Sequence, residues 1–266
     1  MIQTFDRWAT KLGVRPLAAR GYGLAKDVEY RLHDGTYTVD VGRASAEFRI
    51  PTKNEFSDFD RLEERPVLED FVDELRPADT FYDIGANVGL YACLAADVVE
   101  NAVTAFEPHP ENADRLVQNV ACNGANVSLH RCALAEEGGN AELEIALEKV
   151  GSAGHSLVGT PGGENHRRIE VAKRRGDELI AAEGLPRPTV LKIDVEGAEY
   201  DVLDGLEETL SHRTCRLVYC EVHPEQLRMA GRSVDDVREK LEGYGFSVDD
   251  WSVRAGQPFL RAKRTS

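Results

Sequence analysis

Between residues 80 and 225 the chain alternates short apolar runs with amphipathic stretches. FYDI, VTAFE, VSLHRCAL, TVLKIDV and CRLVYCEV have the length and β-branched or aromatic content of buried strands. Helical spacing is predicted from Val88, over Asn112 to Asn123, over Tyr200 to Leu210, and over Val234 to Leu241. AELEIAL and RIEVAK read as two strands flanking a polar, glycine-rich excursion, GSAGHSLVGTPGGENHRR, long enough to be a functional loop. FSVDDWSV and QPFLRAKR read as two closing strands that pair antiparallel at a sheet edge. Strands interleaved with helices require right-handed crossovers, so the pattern predicts an α/β, Rossmann-like fold with a mostly parallel sheet and helices on both faces.

The first part of the chain reads differently. Ile2, Phe5, Trp8, Ala9 and Leu12 recur at helical spacing among Arg7, Lys11, Arg15, Arg20 and Lys26. That basic, amphipathic helix suits packing on the body or on a second subunit of a homo-oligomer. It equally suits a peripheral contact with an anionic membrane or a lipid-linked substrate. VEYRL, TYTVDV and AEFRI read as short strands, with Asp34-Gly35 as a hairpin turn between the first two. A single helix is predicted from Phe59 to Leu75, burying Leu62, Val67, Leu68, Phe71, Val72 and Leu75, and Pro77 stops it. The expected division is an N-terminal helix and β-hairpin appendage over 1–58 and a main domain over 59–266.

Composition narrows the function. A chain of 266 residues can bury one sizeable core. A net charge of -15, from 47 acids against 32 Lys and Arg, argues against a nucleic-acid partner, because phosphate binding needs a positive field. Arg outnumbers Lys, and an acidic, lysine-poor surface suits a halophilic protein, although a GC-rich genome alone would also favour Arg. No apolar run is long enough to cross a bilayer and MIQTFDRWATKLGVRP lacks a secretory core, so a soluble, cytoplasmic protein is expected. Cys93, Cys122, Cys132, Cys215 and Cys220 form no C-x-x-C pair and read as small hydrophobes.

The candidate chemistry begins where the first main strand ends. Ligands of open parallel sheets lie beyond the carboxyl ends of the strands, where strand order reverses. There Asp83-Ile84-Gly85-Ala86-Asn87-Val88-Gly89 supplies G-x-x-x-G behind an acid, not the G-x-G-x-x-G that cradles a pyrophosphate. A carboxylate at this turn repels phosphate and suits an amine-bearing ligand. Glu107 ends the second strand, about 20 residues on, where an acid accepts the hydroxyls of an adenosine ribose. Together they describe a pocket for S-adenosyl-L-methionine.

With these residues in view, the chain resembles a class I S-adenosylmethionine-dependent methyltransferase of the FkbM family. FYDIGANVGLYA, VTAFEPHPEN, CALAEEGG, VLKIDVEGAEYDVLDG and LVYCEVHP carry the resemblance, from about residue 80 to about 225. It implies a seven-stranded sheet. It also implies that Asp83, Gly85, Ala86, Asn87 and Gly89 wrap the methionine part of the cofactor and that Glu107 and Pro108 hold the ribose. Cys132 and Ala133, ending the third strand, would lie along the adenine, while Asn112 and Asn119 read as helix-surface or capping residues and His109 as exposed.

Two further strand ends add polar groups. Asp194 and Glu196 share a side if the chain there is still extended, and Asp194 closes a buried strand beside the first, next to the methyl group. Glu196 and Glu199 also suit the first turn of a helix, the stronger reading for Glu199. Glu221 and His223 close the adjoining strand, and His223, which ordinarily titrates near neutrality, is the expected general base. Asp194, Glu221 and His223 could alternatively hold a divalent cation, a reading not favoured here. His155 and His166 lie in the glycine-rich loop. The expected activity is O-methyl transfer to a hydroxyl of a glycan or small molecule. The rivals are N-methylation of a protein or RNA, for which the usual amine clamp is replaced by Asp194-Val195-Glu196-Gly197, and an inactive cofactor-binding scaffold.

Overall fold

The computed structural model describes residues 29–146, 156–157, 166–254 and 257–265. The basic N-terminal stretch and His155 lie outside them.

The main sheet has seven strands, β3 (Phe81–Ile84), β4 (Val103–Phe106), β5 (Val127–His130), β10 (Val190–Ile193), β11 (Leu217–Glu221), β12 (Phe246–Arg254) and β13 (Gln257–Arg264). Their spatial order is β12-β13-β11-β10-β3-β4-β5, with β11, β10, β3, β4 and β5 parallel and β13 and β12 antiparallel at one edge. The α/β class, the seven strands and the antiparallel closing pair thus match the sequence pattern. Every residue of β3, β4, β10 and β11 is buried, as a sheet covered on both faces requires.

Strand order reverses between β3 and β10, whose ends lie side by side with Ile84 opposite Ile193. Alternation along the strands gives the sheet two cores. Tyr82, Ile84, Leu191 and Ile193 face one, with Leu203, Leu206 and Leu241. Phe81, Val190 and Tyr219 face the other, with Phe71, Tyr91 and Leu94. Asp83 and Lys192 are register partners on adjacent strands, two charged residues set into fully buried segments.

Several elements differ from the sequence pattern, each for a local reason. VEYRL is helical over 29–32 rather than a strand. The hairpin is β1 (Thr36–Val41) with β2 (Ala44–Arg49), and its turn is Gly42-Arg43, with Gly42 at φ 55. Asp34-Gly35 instead leads into β1, where the Gly35 carbonyl accepts from Ile50 N.

The single helix predicted over 59–75 is two, α1 (Lys53–Arg61) and α2 (Arg65–Glu74). Leu62 turns left-handed at φ 34 to end α1, and Pro66 starts α2 in the first turn, where a proline lacks no hydrogen bond. Thr52 caps α1 in a capping box with Glu55. The boundary expected after residue 58 falls inside α1, and the hairpin contributes Val39, Val41, Ala46 and Phe48 to the core of the main sheet.

VSLHRCAL breaks in two. β5 stays in the main sheet, and the chain peels away at Arg131-Cys132 so that β6 (Ala133–Ala135) enters a second sheet. That sheet has the order β6-β9-β7-β8, with β7 (Gly139–Ala146) and β9 (His166–Arg175) antiparallel and β8 (Ser156–Leu157) on its edge. The remaining helices are α3 (Leu90–Ala96), α4 (Pro110–Cys122), α5 (Gly176–Glu183), α6 (Glu199–Gly205), α7 (Glu207–Ser211), α8 (Pro224–Met229) and α9 (Val234–Gly243). α5 and α8 arise where the sequence pattern marked no element, and the helix expected over 200–210 is divided between α6 and α7 at Leu206.

Candidate active site

The turn after β3 has three left-handed residues, Gly85 (φ 74), Asn87 (φ 51) and Gly89 (φ 89). Gly85 is required for a further reason: a Cβ there would stand 1.8 Å from the Asp194 carbonyl oxygen. The exit of β10 therefore packs directly on the turn, and Asp194 N donates to the Ile84 carbonyl at 2.9 Å. Gly85 N and Ala86 N both donate to the Phe106 carbonyl, at 3.0 and 3.1 Å, which ties the turn to β4 as well.

Glu107 completes that tie. Its carboxylate accepts from Asn87 N at 2.7 Å and from His109 N at 2.8 Å. Burial pushes its pKa up to about 7, against these two amides. His109 is buried, not exposed, and its Nδ1 accepts from Asn112 N at the start of α4. Asn112 and Asn119 are buried too. Asn119 bridges elements, accepting from Arg49 N at 3.0 Å and donating to the Val88 carbonyl at 2.8 Å.

Two cavities open at these strand ends. The narrower is lined by Gly85, Asn87, Phe106, Glu107, Pro108, Asn112, Cys132, Ala133, Leu134, Asp194 and Glu196, with Leu143 reaching in from the second sheet. The wider, about 480 Å³, is lined by Ala86, Asn87, Leu90, Tyr91, Lys192, Asp194, Glu196 and Glu221. Its outer wall comes from Arg49, Glu55, Asp58, Phe59, Arg61, Leu62, Glu63 and Glu64, with Arg115. Asn87, Asp194 and Glu196 line both cavities and so form their common wall.

The residues singled out from the sequence separate accordingly. Gly85, Asn87, Glu107, Pro108, Cys132, Ala133 and Asp194 border the narrow cavity, Ala86 borders the wide one, and Asp83 and Gly89 border neither. Cys132 does not end a strand but lies in the connection between β5 and β6. Asp83 is fully buried beneath the turn, where its carboxylate accepts from Ala92 N at 2.9 Å, in the first turn of α3. The cation facing it is the Lys192 ammonium, 3.6 Å away. Burial pushes the Asp83 pKa up, and Lys192 and the amide oppose it.

Asp194 and Glu196 do not share a side through strand alternation, because β10 ends at Ile193 and Glu196 is left-handed at φ 49. The turn itself brings both to the common wall. Glu221 is buried on the wall of the wide cavity.

His223 is not on either wall. Its Nδ1 lies 2.8 Å from Glu199 Oε1 and its Nε2 3.8 Å from Asp194 Oδ1. Burial lowers the pKa of the ring, but the Glu199 hydrogen bond and the charges of Asp194, Glu199 and Glu221 outweigh it and carry it up to about 9. The raised pKa favours the protonated ring. Glu199 opens α6, in the first turn as the sequence predicts, and is buried there, accepting from Gly197 N as well.

Lys192, Tyr91 and Glu64 are among the site residues that the sequence pattern did not single out. The signal for Lys192 was present: a lysine interrupting the apolar run VLKI has to face something polar. Tyr91 donates to Glu64 Oε2 at 3.2 Å, and Lys192 Nζ lies 5.1 Å from the centre of the Tyr91 ring. Among the described residues no cluster of His, Cys, Asp or Glu is arranged to hold a metal ion.

Comparison with known proteins places this geometry in a family. Residues 83–248 match the methyltransferase FkbM domain. The hexuronic acid methyltransferase AglP of Haloferax volcanii is 29% identical over 201 residues, covering 76% of this chain and 77% of that protein. The 31-O-demethyl-FK506 methyltransferase FkbM of Streptomyces tacrolimicus is 30% identical over 202 residues, covering 66% and 75%. A crystal structure of a methyltransferase FkbM from Methylobacillus flagellatus aligns with a TM-score of 0.48 at 15% identity, covering 71% of this chain and 44% of the other. The match spans most of the chain and includes the end of β3, all of β10 and β11, and the turns that follow them, so the chain belongs to the FkbM family of methyltransferases.

Proposed function

We propose that this methyltransferase uses S-adenosyl-L-methionine to methylate a hydroxyl group of a glycan or small molecule. The observation that carries the reading is the common wall of Asn87, Asp194 and Glu196 between a narrow and a wide cavity. A group-transfer enzyme needs donor and acceptor in separate pockets that meet at one point.

The donor set of the narrow cavity fits the cofactor. Glu107 offers carboxylate oxygens to the ribose hydroxyls, and Phe106, Cys132, Ala133 and Leu134 give the base an apolar slot. Asn87 and Asp194, at the inner end, would hold the methionine portion. Asp83 would act from behind, by holding the turn through Ala92 N and Lys192 rather than by touching the ligand. When bound, S-adenosylmethionine would supply an electrophilic methyl carbon; the protein would align the acceptor and take its proton.

The wide cavity fits a polar acceptor. Its wall mixes carboxylates and guanidinium groups with the faces of Phe59 and Tyr91, the composition expected for a hydroxyl-rich molecule. Asp194, Glu196 or Glu221, which line this cavity, would receive the hydroxyl proton. The named acceptors of the relatives, a hexuronic acid and a demethylated FK506, support this class. The acidic composition also supports a protein adapted to concentrated salt, and none of the described helices is long and apolar enough to cross a membrane.

Calorimetry with S-adenosylhomocysteine and NAD tests the cofactor reading: binding of the first and not the second is expected, and the reverse would overturn it. The acceptor follows from comparing glycans and polar metabolites by mass between a source strain and its deletion mutant. A species lighter by one methylene should replace its methylated counterpart.

A further inference from the structure

Lys192 sits in the middle of a fully buried parallel strand and is itself only 3% exposed. A buried ammonium is costly unless it is both paired and hydrogen-bonded. Here its Nζ donates to the Gly85 carbonyl at 3.0 Å and lies 3.2 Å from Asp194 Oδ2 and 3.6 Å from Asp83 Oδ1. Burial works against its charge, but Asp194, Asp83, Glu64 and Glu221 outweigh it and hold the lysine protonated well above its ordinary range. Gly85 and Asp194 line the narrow cavity and Lys192 lines the wide one, so the ammonium stands where the two meet.

We propose that Lys192 is a charge-balancing and positioning residue for methyl transfer: its ammonium offsets Asp83 and Asp194 at the junction of the cavities and fixes Asp194 against the Gly85 turn. The proposal rests on the S-adenosylmethionine reading above. Without the ammonium, Asp83, Asp194, Glu196, Glu221 and Glu64 would present a concentrated negative field to the donor. The positive charge of a sulfonium is lost as its methyl group is transferred. A field that stabilises this charge before reaction and not during it deepens the ground state and raises the barrier. It would also make the site hold fresh donor far more tightly than spent product. Lys192 removes that bias while leaving Glu107, on the far side of the turn, to bind the ribose.

The test compares affinities for S-adenosylmethionine, a cation at sulfur, and S-adenosylhomocysteine, which is neutral there. Calorimetry on the full chain would use wild type, Lys192→Met, Lys192→Arg and Glu221→Gln. Lys192→Met should raise affinity for the sulfonium relative to the thioether by about tenfold, from the loss of one nearby charge. Lys192→Arg should keep the wild-type ratio. Glu221→Gln, which removes a carboxylate facing the ammonium, should move the ratio the other way and decides the matter if Lys192→Met does not fold. A folded Lys192→Met or Glu221→Gln whose two affinities change by the same factor, or not at all, overturns the proposal. A wild-type protein that binds neither ligand overturns the cofactor reading, and this proposal with it.

Discussion

His223 Nδ1 lies 2.8 Å from Glu199 Oε1, and both side chains are sealed from solvent. The histidine pKa is raised from 6.5 to about 9, so the folded state holds this proton more tightly than the unfolded chain does. The stabilisation is therefore complete below about pH 6.5 and is lost as pH rises through about 9. Replacing His223 with Gln should cost on the order of 3 kcal/mol at pH 6 and much less at pH 10. Thermal unfolding of both proteins across that range checks it; a pH-independent difference would contradict the pairing.

Glu107 predicts a pH dependence of cofactor affinity. Burial carries its pKa up to about 7, and the protonated carboxyl has one fewer acceptor position for a ribose hydroxyl. Affinity for S-adenosylhomocysteine should fall as pH drops below about 7. Glu107→Gln should weaken binding by about tenfold or more, because an amide cannot accept both backbone N–H groups that Glu107 now satisfies. Calorimetric titrations from pH 5.5 to 8.5 would show both effects.

Gly85 tolerates no side chain. Its φ of 74 is left-handed and a Cβ would collide with the Asp194 backbone, not with a side chain that could rotate away. Gly85→Ala should cost about 3 kcal/mol and separate the turn from the β10 exit. Denaturant unfolding measures the loss, and weakened S-adenosylhomocysteine binding in the folded fraction reports the displaced turn.

Asn119 joins the hairpin to the turn through Arg49 N and the Val88 carbonyl. Asn119→Ala leaves both backbone groups without this partner, at a cost of about 2 kcal/mol. The Arg49 amide should then exchange with deuterium faster, while amides in β10 and β11 change only with global stability.

The outer wall of the wide cavity predicts where acceptor selection lies. Arg49, Phe59 and Arg61 precede the matched family domain, which begins at residue 83. Phe59→Ala and Arg61→Ala should raise KM for the acceptor, once identified, by about tenfold while leaving S-adenosylhomocysteine affinity unchanged. Equal losses in both would show that these residues act on the fold instead.

The runs FYDI, VTAF and VLKI by themselves determined the parallel strands, because a strand covered on both faces must be predominantly apolar. The spacing Gly85, Asn87, Gly89 marked the turn, and Glu107 and Asp194 were legible as acids at strand ends. These are local properties, written in residue type and period. Whether an ionisable side chain points into a cavity or into the core is not local. Asp83 reads as a ligand because an acid at this turn suits an amine-bearing molecule, and His223 as a base because it ordinarily titrates near neutrality; in the fold Asp83 faces Lys192 and His223 contacts Glu199. Lys192 meets Asp83 only because β3 and β10 lie side by side. The wide cavity draws much of its wall from α1 and the residues just after it, where Leu62 breaks a helix that periodicity alone would continue. Sequence determined which groups were available; only packing between residues distant in the chain decided their charge, their partners and the cavity each one faces.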